Sequence, residues 1–268
     1  GHQVETLLIP FSFHPDDILS QMIGLRLTDL SAWGERLIAI RTPSYLVRHP
    51  YKVLWFIHHH RGAYDLWGTK YQDIPDSPEG LGLRNAIIEA DQLAFFEAKK
   101  LFTNSHVVKD RLKKFNDIDS QVLFPPLGLL ERCDTADYSN YILYVSRVTQ
   151  HKRQMLAVEA LRYTTTPVRL IIAGGVDPGQ EFYLSELYAM IRSYQLEDRV
   201  QITARWISDS EKSDLFANCL AAIYMPYDED SYGYPSLEAH HSKKAVITTL
   251  DAGGTLELIN DGENGFVT

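Results

Sequence analysis

Short apolar runs alternate along the chain with longer segments whose apolar positions recur at helical spacing. Thr6 to Pro10, Arg36 to Ile40 and Lys52 to Ile57 predict buried strands, because apolar residues stand together over strand length. Asp16 to Leu30 and Gly82 to Ala98 predict helices. Asn104-Ser105 predicts the start of another, over His106 to Phe115, with the Ser105 hydroxyl accepting an orphan N–H of its first turn. Val122 to Phe124 predicts a strand that stops at Pro125-Pro126, which cannot continue a ladder.

Periodicity lapses over Gly128 to Asn140, where Glu131, Arg132, Asp134 and Asp137 replace it, and a linker is predicted there. It then restarts. Strands are predicted over Tyr141 to Ser146, Val168 to Ala173, Val200 to Thr203, Ala221 to Met225 and Ala245 to Thr249. Helices are predicted over Gln154 to Arg162, Glu181 to Tyr194, Ser210 to Asn218, Pro235 to Ser242 and Leu256 to Asn260. Strict alternation of this kind predicts parallel sheets covered by helices. Two series around a linker predict an α/β chain of two doubly wound, Rossmann-like domains facing a cleft, over residues 1–135 and 136–268. Ligands of such sheets bind beyond the carboxyl ends of the strands.

Composition narrows the chemistry. Lys and Arg number 26 against 35 Asp and Glu, a net charge of −9 over 268 residues. Such a chain has no cation excess for non-specific nucleic-acid binding, so any anionic ligand needs positive charge gathered locally. Cys133 and Cys219 cannot form a disulfide framework or a zinc ribbon and read as buried thiols in a reducing compartment. No apolar run approaches the ~20 residues of a membrane span. Gly1-His2-Gln3-Val4 leads directly into the apolar stretch Leu7-Leu8-Ile9, so no signal peptide is expected, and a cytoplasmic protein is the expectation.

Four clusters could carry chemistry. Arg147 and Lys152 flank the turn after a predicted strand, and two such cations suit a leaving diphosphate, the alternative being a solvated basic turn. Asp228 to Ala239 follows another strand. Gly233 permits a tight turn there, Pro235 suits a helix start, and Asp230 and Glu238 could grip hydroxyl groups of one ligand. The alternative is an acidic helix entry. Gly253-Gly254 could bring backbone amides close to a ligand or form an ordinary turn. His58-His59-His60-Arg61 ends a strand, but successive side chains there point to opposite sides, so the three imidazoles cannot share one metal ion, and the readings left are a single His facing the cleft or plain structural histidines. Gly174-Gly175-Val176-Asp177-Pro178-Gly179 has Val176 at the third position, where the dinucleotide fingerprint needs glycine, which weighs against a nicotinamide oxidoreductase.

Together these residues resemble glycosyltransferase family four, retaining and nucleotide-sugar-dependent enzymes of the GT-B fold. The family's carboxylate signature, Glu, seven residues, Glu with Phe-Gly inside, matches Asp230-Ser231-Tyr232-Gly233 through Glu238. Its diphosphate-binding Arg and Lys match Arg147 and Lys152. Its glycine pair matches Gly253-Gly254, followed by Asp261 to Phe266. His58 to Trp67, Thr103-Asn104-Ser105 and Phe124-Pro125-Pro126 match as well. The resemblance implies that Arg147 and Lys152 neutralise the diphosphate and Glu238 holds the ribose. Asp230 would touch the donor sugar, with backbone N–H groups around Tyr232, Gly233 and Tyr234 and those of Gly253 and Gly254 beside it. His58, with Arg61, would face the acceptor, and His58, Arg147, Lys152 and Asp230 would form the catalytic set. No metal or other cofactor is implied, the nucleotide sugar being a substrate.

The signature departs from the family in having Asp230 for Glu, one methylene shorter, with Glu229 one residue out of register. Family members have further segments before and after those matched, so an internal piece of a longer enzyme is expected. The function expected is transfer of a sugar to a saccharide or lipid-linked acceptor, in cell-surface polysaccharide or glycoconjugate synthesis. A lipid-linked acceptor leaves open a peripheral place at the inner face of the membrane. The alternative is a non-catalytic nucleotide-sugar binding or scaffold protein of the same fold.

Overall fold

A computed structural model describes residues 1–127, 136–229 and 232–268. The chain divides into two compact units, Gly1–Phe124 and Pro125–Thr268. The boundary expected at 135/136 and most of the expected linker coincide with residues 128–135, outside those described, as is Cys133.

The first unit holds a four-stranded parallel sheet, β1 (Leu37–Ala39), β2 (Lys52–Phe56), β3 (Lys100–Thr103) and β4 (Gln121–Val122), hydrogen-bonded in that order. Helices α1 (Pro15–Leu27), α2 (Pro78–Glu97) and α3 (His106–Asn116) accompany it. Helix α2 starts four residues before the apolar periodicity does, because Ser77 accepts from the Gly80 N–H at 3.1 Å and Pro78 follows it. Ser105 caps α3 as expected, accepting from the Val108 N–H at 3.0 Å. Ile18, Leu46, Leu54, Phe56, Ile87, Phe95 and Leu112 are among the residues of this unit's apolar core. Lys52 is wholly buried in it, its ammonium donating to the carbonyls of Tyr45 (2.7 Å) and Val47 (3.1 Å) and to Glu97 (3.0 Å).

Thr6 to Pro10 is not a strand. Its backbone joins no ladder among the described residues, and Leu8 is 86% exposed. An apolar run becomes a strand only where a neighbour takes up its N–H and C=O groups.

In the second unit six parallel strands are ordered β10-β9-β8-β5-β6-β7. They are β5 (Tyr141–Val145), β6 (Arg169–Ala173), β7 (Val200–Thr203), β8 (Ala221–Ile223), β9 (Val246–Thr248) and β10 (Gly265–Val267). Helices α4 (Gln154–Arg162), α5 (Glu181–Ser193), α6 (Asp209–Asn218) and α7 (Tyr234–His241) connect them. The chain starts at β5, steps outward to β6 and β7, then returns to add β8, β9 and β10 on the other side. This is the doubly wound order, with its reversal between β5 and β8. Continuous apolar runs such as Leu143 to Val145 and Leu170 to Ala173 are buried, as strands covered on both faces must be. Helix α6 begins at a capping box, Ser208 and Glu211 each satisfying the other's backbone N–H.

The helix expected over Leu256 to Asn260 is a 3-10 turn, Gly254–Glu257. The Asn264 side chain donates to the Leu258 carbonyl (3.0 Å) and accepts from the Asn260 N–H (2.8 Å), taking groups a longer helix would use itself. Among the described residues no helix is long and apolar enough to cross a membrane.

Candidate active site

The loops that leave the carboxyl ends of β5, β6, β8 and β9 are tied to one another in the second unit. The loop after β5 is anchored by Gln154, whose amide donates to Ser146 Oγ (2.8 Å) and the Arg147 carbonyl (2.7 Å). Val148 bridges to Val176 in the loop after β6, and its N–H donates to the Gly175 carbonyl at 2.8 Å. Gly174 has φ +147°, and a Cβ there would meet the Ser146 carbonyl oxygen at 2.0 Å. The Arg147 side chain is 63% exposed, and one guanidinium nitrogen lies 2.9 Å from both carboxylate oxygens of Asp177.

Lys152 closes the 3-10 turn Gln150–Lys152 and is buried. Its ammonium donates to Tyr224 Oη at 2.8 Å and to Glu229 Oε2, and the Tyr224 hydroxyl donates to the same Glu229 oxygen. Tyr144, on β5, donates its hydroxyl to the Lys152 carbonyl and accepts from the Met225 N–H at 3.1 Å. Burial pushes the Tyr144 and Tyr224 phenols well above the ordinary tyrosine range, so both act as neutral hydroxyls. The next residue, Arg153, takes a left-handed conformation and reaches across to the ends of β8 and β9. It donates to the carbonyls of Met225 (2.8 Å) and Pro226 (2.7 Å), to Thr249 Oγ1 (2.8 Å) and to both oxygens of Asp251 (2.7 Å).

Glu229 forms a parallel bridge with Gly253. Its N–H donates to the Ala252 carbonyl (3.2 Å), and its own carbonyl accepts the Gly254 N–H (2.9 Å). The close backbone approach that the glycine pair allows is therefore an approach to Glu229. Gly233, at φ +68°, precedes α7 and faces the Tyr224 ring. Tyr232 is buried and donates to the Pro125 carbonyl, whereas Tyr234 is half exposed. Glu238, on α7, pairs with Lys212 of α6 at 2.5 Å, and burial raises its carboxyl above the usual range against that pairing. Asp230, the first carboxylate of the signature, lies outside the described residues, as does Ser231.

Lys152, Gly233, Gly253 and Gly254 are thus brought to one place, with Arg147 at the start of the connection that carries Lys152. Glu238 is held by a helix contact of its own. Tyr224, Glu229 and Arg153 were not singled out by spacing. The one available signal was Glu229 beside the signature position, and its partner Lys152 lies 77 residues away.

In the first unit the three histidines diverge. His58 is half-buried, with Nδ1 2.6 Å from the His59 carbonyl. His59 is buried against Phe56, Tyr64 and Phe115, with Nε2 2.8 Å from Asn116 Oδ1. His60 is buried beside Phe13, and neither ring nitrogen has a hydrogen-bond partner. No three His, Cys, Asp or Glu side chains among the described residues are placed to hold a metal ion. Arg61 pairs with Asp65 at 2.6 Å.

Burial pushes His59 down to about 4, the Asn116 bond opposing it. As pH falls below about 6.5 the unfolded chain takes up a proton that the folded chain refuses, so stability falls until about pH 4. The expected loss from this group is about 2 kcal/mol between pH 7.5 and pH 5. Urea midpoints at both pH values should drop less in His59→Asn than in the parent; equal drops would remove the assignment.

The profile of the family described as glycosyl transferases group 1 matches residues 134–268. No curated protein sequence matches the chain. Among solved structures, HepE from Anabaena in complex with UDP is similar at 21% identity and a TM-score of 0.62, over 81% of this chain and 58% of that one. Sucrose-phosphate synthase from Thermosynechococcus elongatus is similar at 17% identity and a TM-score of 0.65, over 81% and 54%. A glycosyltransferase from Rickettsia africae is similar at 19% identity and a TM-score of 0.61, over 97% and 69%. The chain spans little more than half the length of the first two. At these identities the likeness is one of fold, an α/β fold shared with glycosyltransferases. The family profile, which covers half of the sequence, decides more, and the chain belongs to the glycosyl transferases group 1 family.

Proposed function

We propose that the chain is part of a retaining glycosyltransferase. It moves a hexose-type sugar from a nucleotide diphosphate sugar to a saccharide or lipid-linked acceptor, in the synthesis of cell-surface polysaccharide or glycoconjugate. The observation that carries this reading is Lys152, a buried ammonium where the strand order reverses between β5 and β8. Doubly wound sheets bind their ligands at that reversal.

In this reading Arg147 and Lys152 receive the diphosphate, doing the electrostatic work a metal would otherwise do. For Arg147 this means exchanging Asp177 for phosphate, a small cost at an exposed side chain. Glu238 meets the ribose on leaving Lys212, and Asp230 and the backbone N–H groups near Tyr232 to Tyr234 meet the sugar. His58 and Arg61 serve the acceptor side. Attack comes on the face the leaving phosphate vacates, with that phosphate taking the acceptor's proton.

HepE binds UDP in one crystal structure and UDP-glucose in another, which makes these the first ligands to try. Calorimetry of the intact protein should show UDP binding, and a donor-hydrolysis assay should release sugar from a UDP-sugar. Binding without turnover favours the nucleotide-sugar binding or scaffold alternative. Absence of binding to uridine, guanosine and adenosine diphosphates alike overturns both.

A further inference from the structure

An ammonium has three protons and no acceptor capacity, so its direction is set by what takes those protons. At Lys152 two are taken, by Tyr224 Oη and by Glu229 Oε2, and the Tyr224 hydroxyl closes the triangle by donating to that same carboxylate oxygen. The backbone under Lys152 is fixed separately by the Tyr144 hydroxyl, whose ring stacks edge-on against Tyr224 at 6.0 Å. Tyr224 is wedged in turn: a Cβ on Gly233 would stand 2.4 Å from its Cε1. The signature glycine therefore leaves room for an aromatic ring as well as permitting a turn. Glu229 is held at its backbone by Ala252 and Gly254. Of the two groups that touch the ammonium, Tyr224 is thus packed by a ring on β5 and by the turn before α7, and Glu229 is tied to the loop after β9.

We propose that Tyr224 and Glu229 are positioning residues for Lys152, holding two of its ammonium protons so that one N–H is left to meet an oxygen of the donor's diphosphate. The inference rests on the reading of Lys152 as the diphosphate-binding lysine. It adds that a phenol and a carboxylate next to the signature, at positions outside it, set where that charge points. A network of this kind matters through its geometry, since a cation displaced by an ångström loses most of an aligned contact.

The test is a double-mutant cycle on UDP affinity in the intact protein, using Tyr224→Phe, which keeps the ring and removes the oxygen, with Lys152→Ala. Tyr224→Phe is expected to weaken UDP about fivefold in the parent and less than about twofold in Lys152→Ala. An equal factor in both backgrounds, or none in the parent, overturns the proposal. A second readout needs no nucleotide: acetylation of Lys152 by acetic anhydride, followed on its peptide, should run about fivefold faster in Tyr224→Phe than in the parent. Lys52 and Lys244, both fully buried, are internal controls, and unchanged labelling of these two shows that the variant is folded. If they label faster as well, Glu229→Gln takes the place of Tyr224→Phe in both measurements. Parent protein that binds no UDP speaks against the function proposed above; the labelling then decides, and Lys152 labelled equally fast in parent and variant overturns the positioning role by itself.

Discussion

Lys152→Ala is expected to lower donor turnover by about a thousandfold. One cation about 4 Å from a phosphate oxygen contributes up to about 4 kcal/mol at an effective dielectric near 20. As charge builds on the leaving diphosphate that contact strengthens, and about 4 kcal/mol off a barrier is roughly three decades of rate. The substitution also takes the ammonium from the Glu229 carboxylate, whose side chain is only 12% exposed, and removing one partner of an enclosed ion pair lowers stability by a few kcal/mol. Loss of activity could then reflect loss of fold. Lys152→Met combined with Glu229→Gln removes both charges and keeps the volume, so it should melt near the parent temperature and be as inactive as Lys152→Ala. A double variant that is folded and turns over donor within tenfold of the parent would sink the assignment of Lys152.

Which parts of this site could be read from the sequence follows from the range of the interactions that make it. Helix α3 and its cap were legible, because Ser105 and Val108 are three residues apart and capping is local. In the second unit β5, β6, β8 and β9 were legible because each is a largely buried apolar run, whereas β10, three residues long with Phe266 exposed at its centre, was not expected. Arg147 and Lys152 were legible as a pair of cations on one turn. The Lys152–Glu229 contact was not, because it joins the loops after β5 and β8, which become neighbours only when the strand order reverses. The same holds for Lys212 with Glu238, a contact between two helices with no fixed spacing. Thr6 to Pro10 shows the converse error, since apolar character alone specifies neither partner nor ladder. Gly253 lies between these cases: the glycine pair was visible, but what it approaches was not.

Gly253→Ala is accordingly expected to cost about 4 kcal/mol of stability, by two additive effects. Gly253 has φ +63° and ψ −131°, a conformation open in practice only to glycine, and a side chain there costs about 1–3 kcal/mol in backbone strain. The added Cβ would also stand 2.4 Å from the Glu229 nitrogen, 2.6 Å from its carbonyl oxygen and 2.7 Å from the Asp228 carbonyl carbon. All three are backbone atoms, so no side-chain rotation relieves the clash, and forced overpacking adds about 1–3 kcal/mol. Gly179 separates the two effects. Its φ is +78°, but a Cβ there meets nothing within 4 Å, so Gly179→Ala should cost only about 1–2 kcal/mol of conformational strain. Urea unfolding of both variants measures the difference, and Gly253→Ala no less stable than Gly179→Ala would show that the strands' ends yield freely. If the Glu229 segment moves aside to make room, its carboxylate leaves Lys152, and UDP affinity should fall in step with stability. The contact between a glycine after β9 and the backbone after β8 would then be what sets the charge at the end of β5.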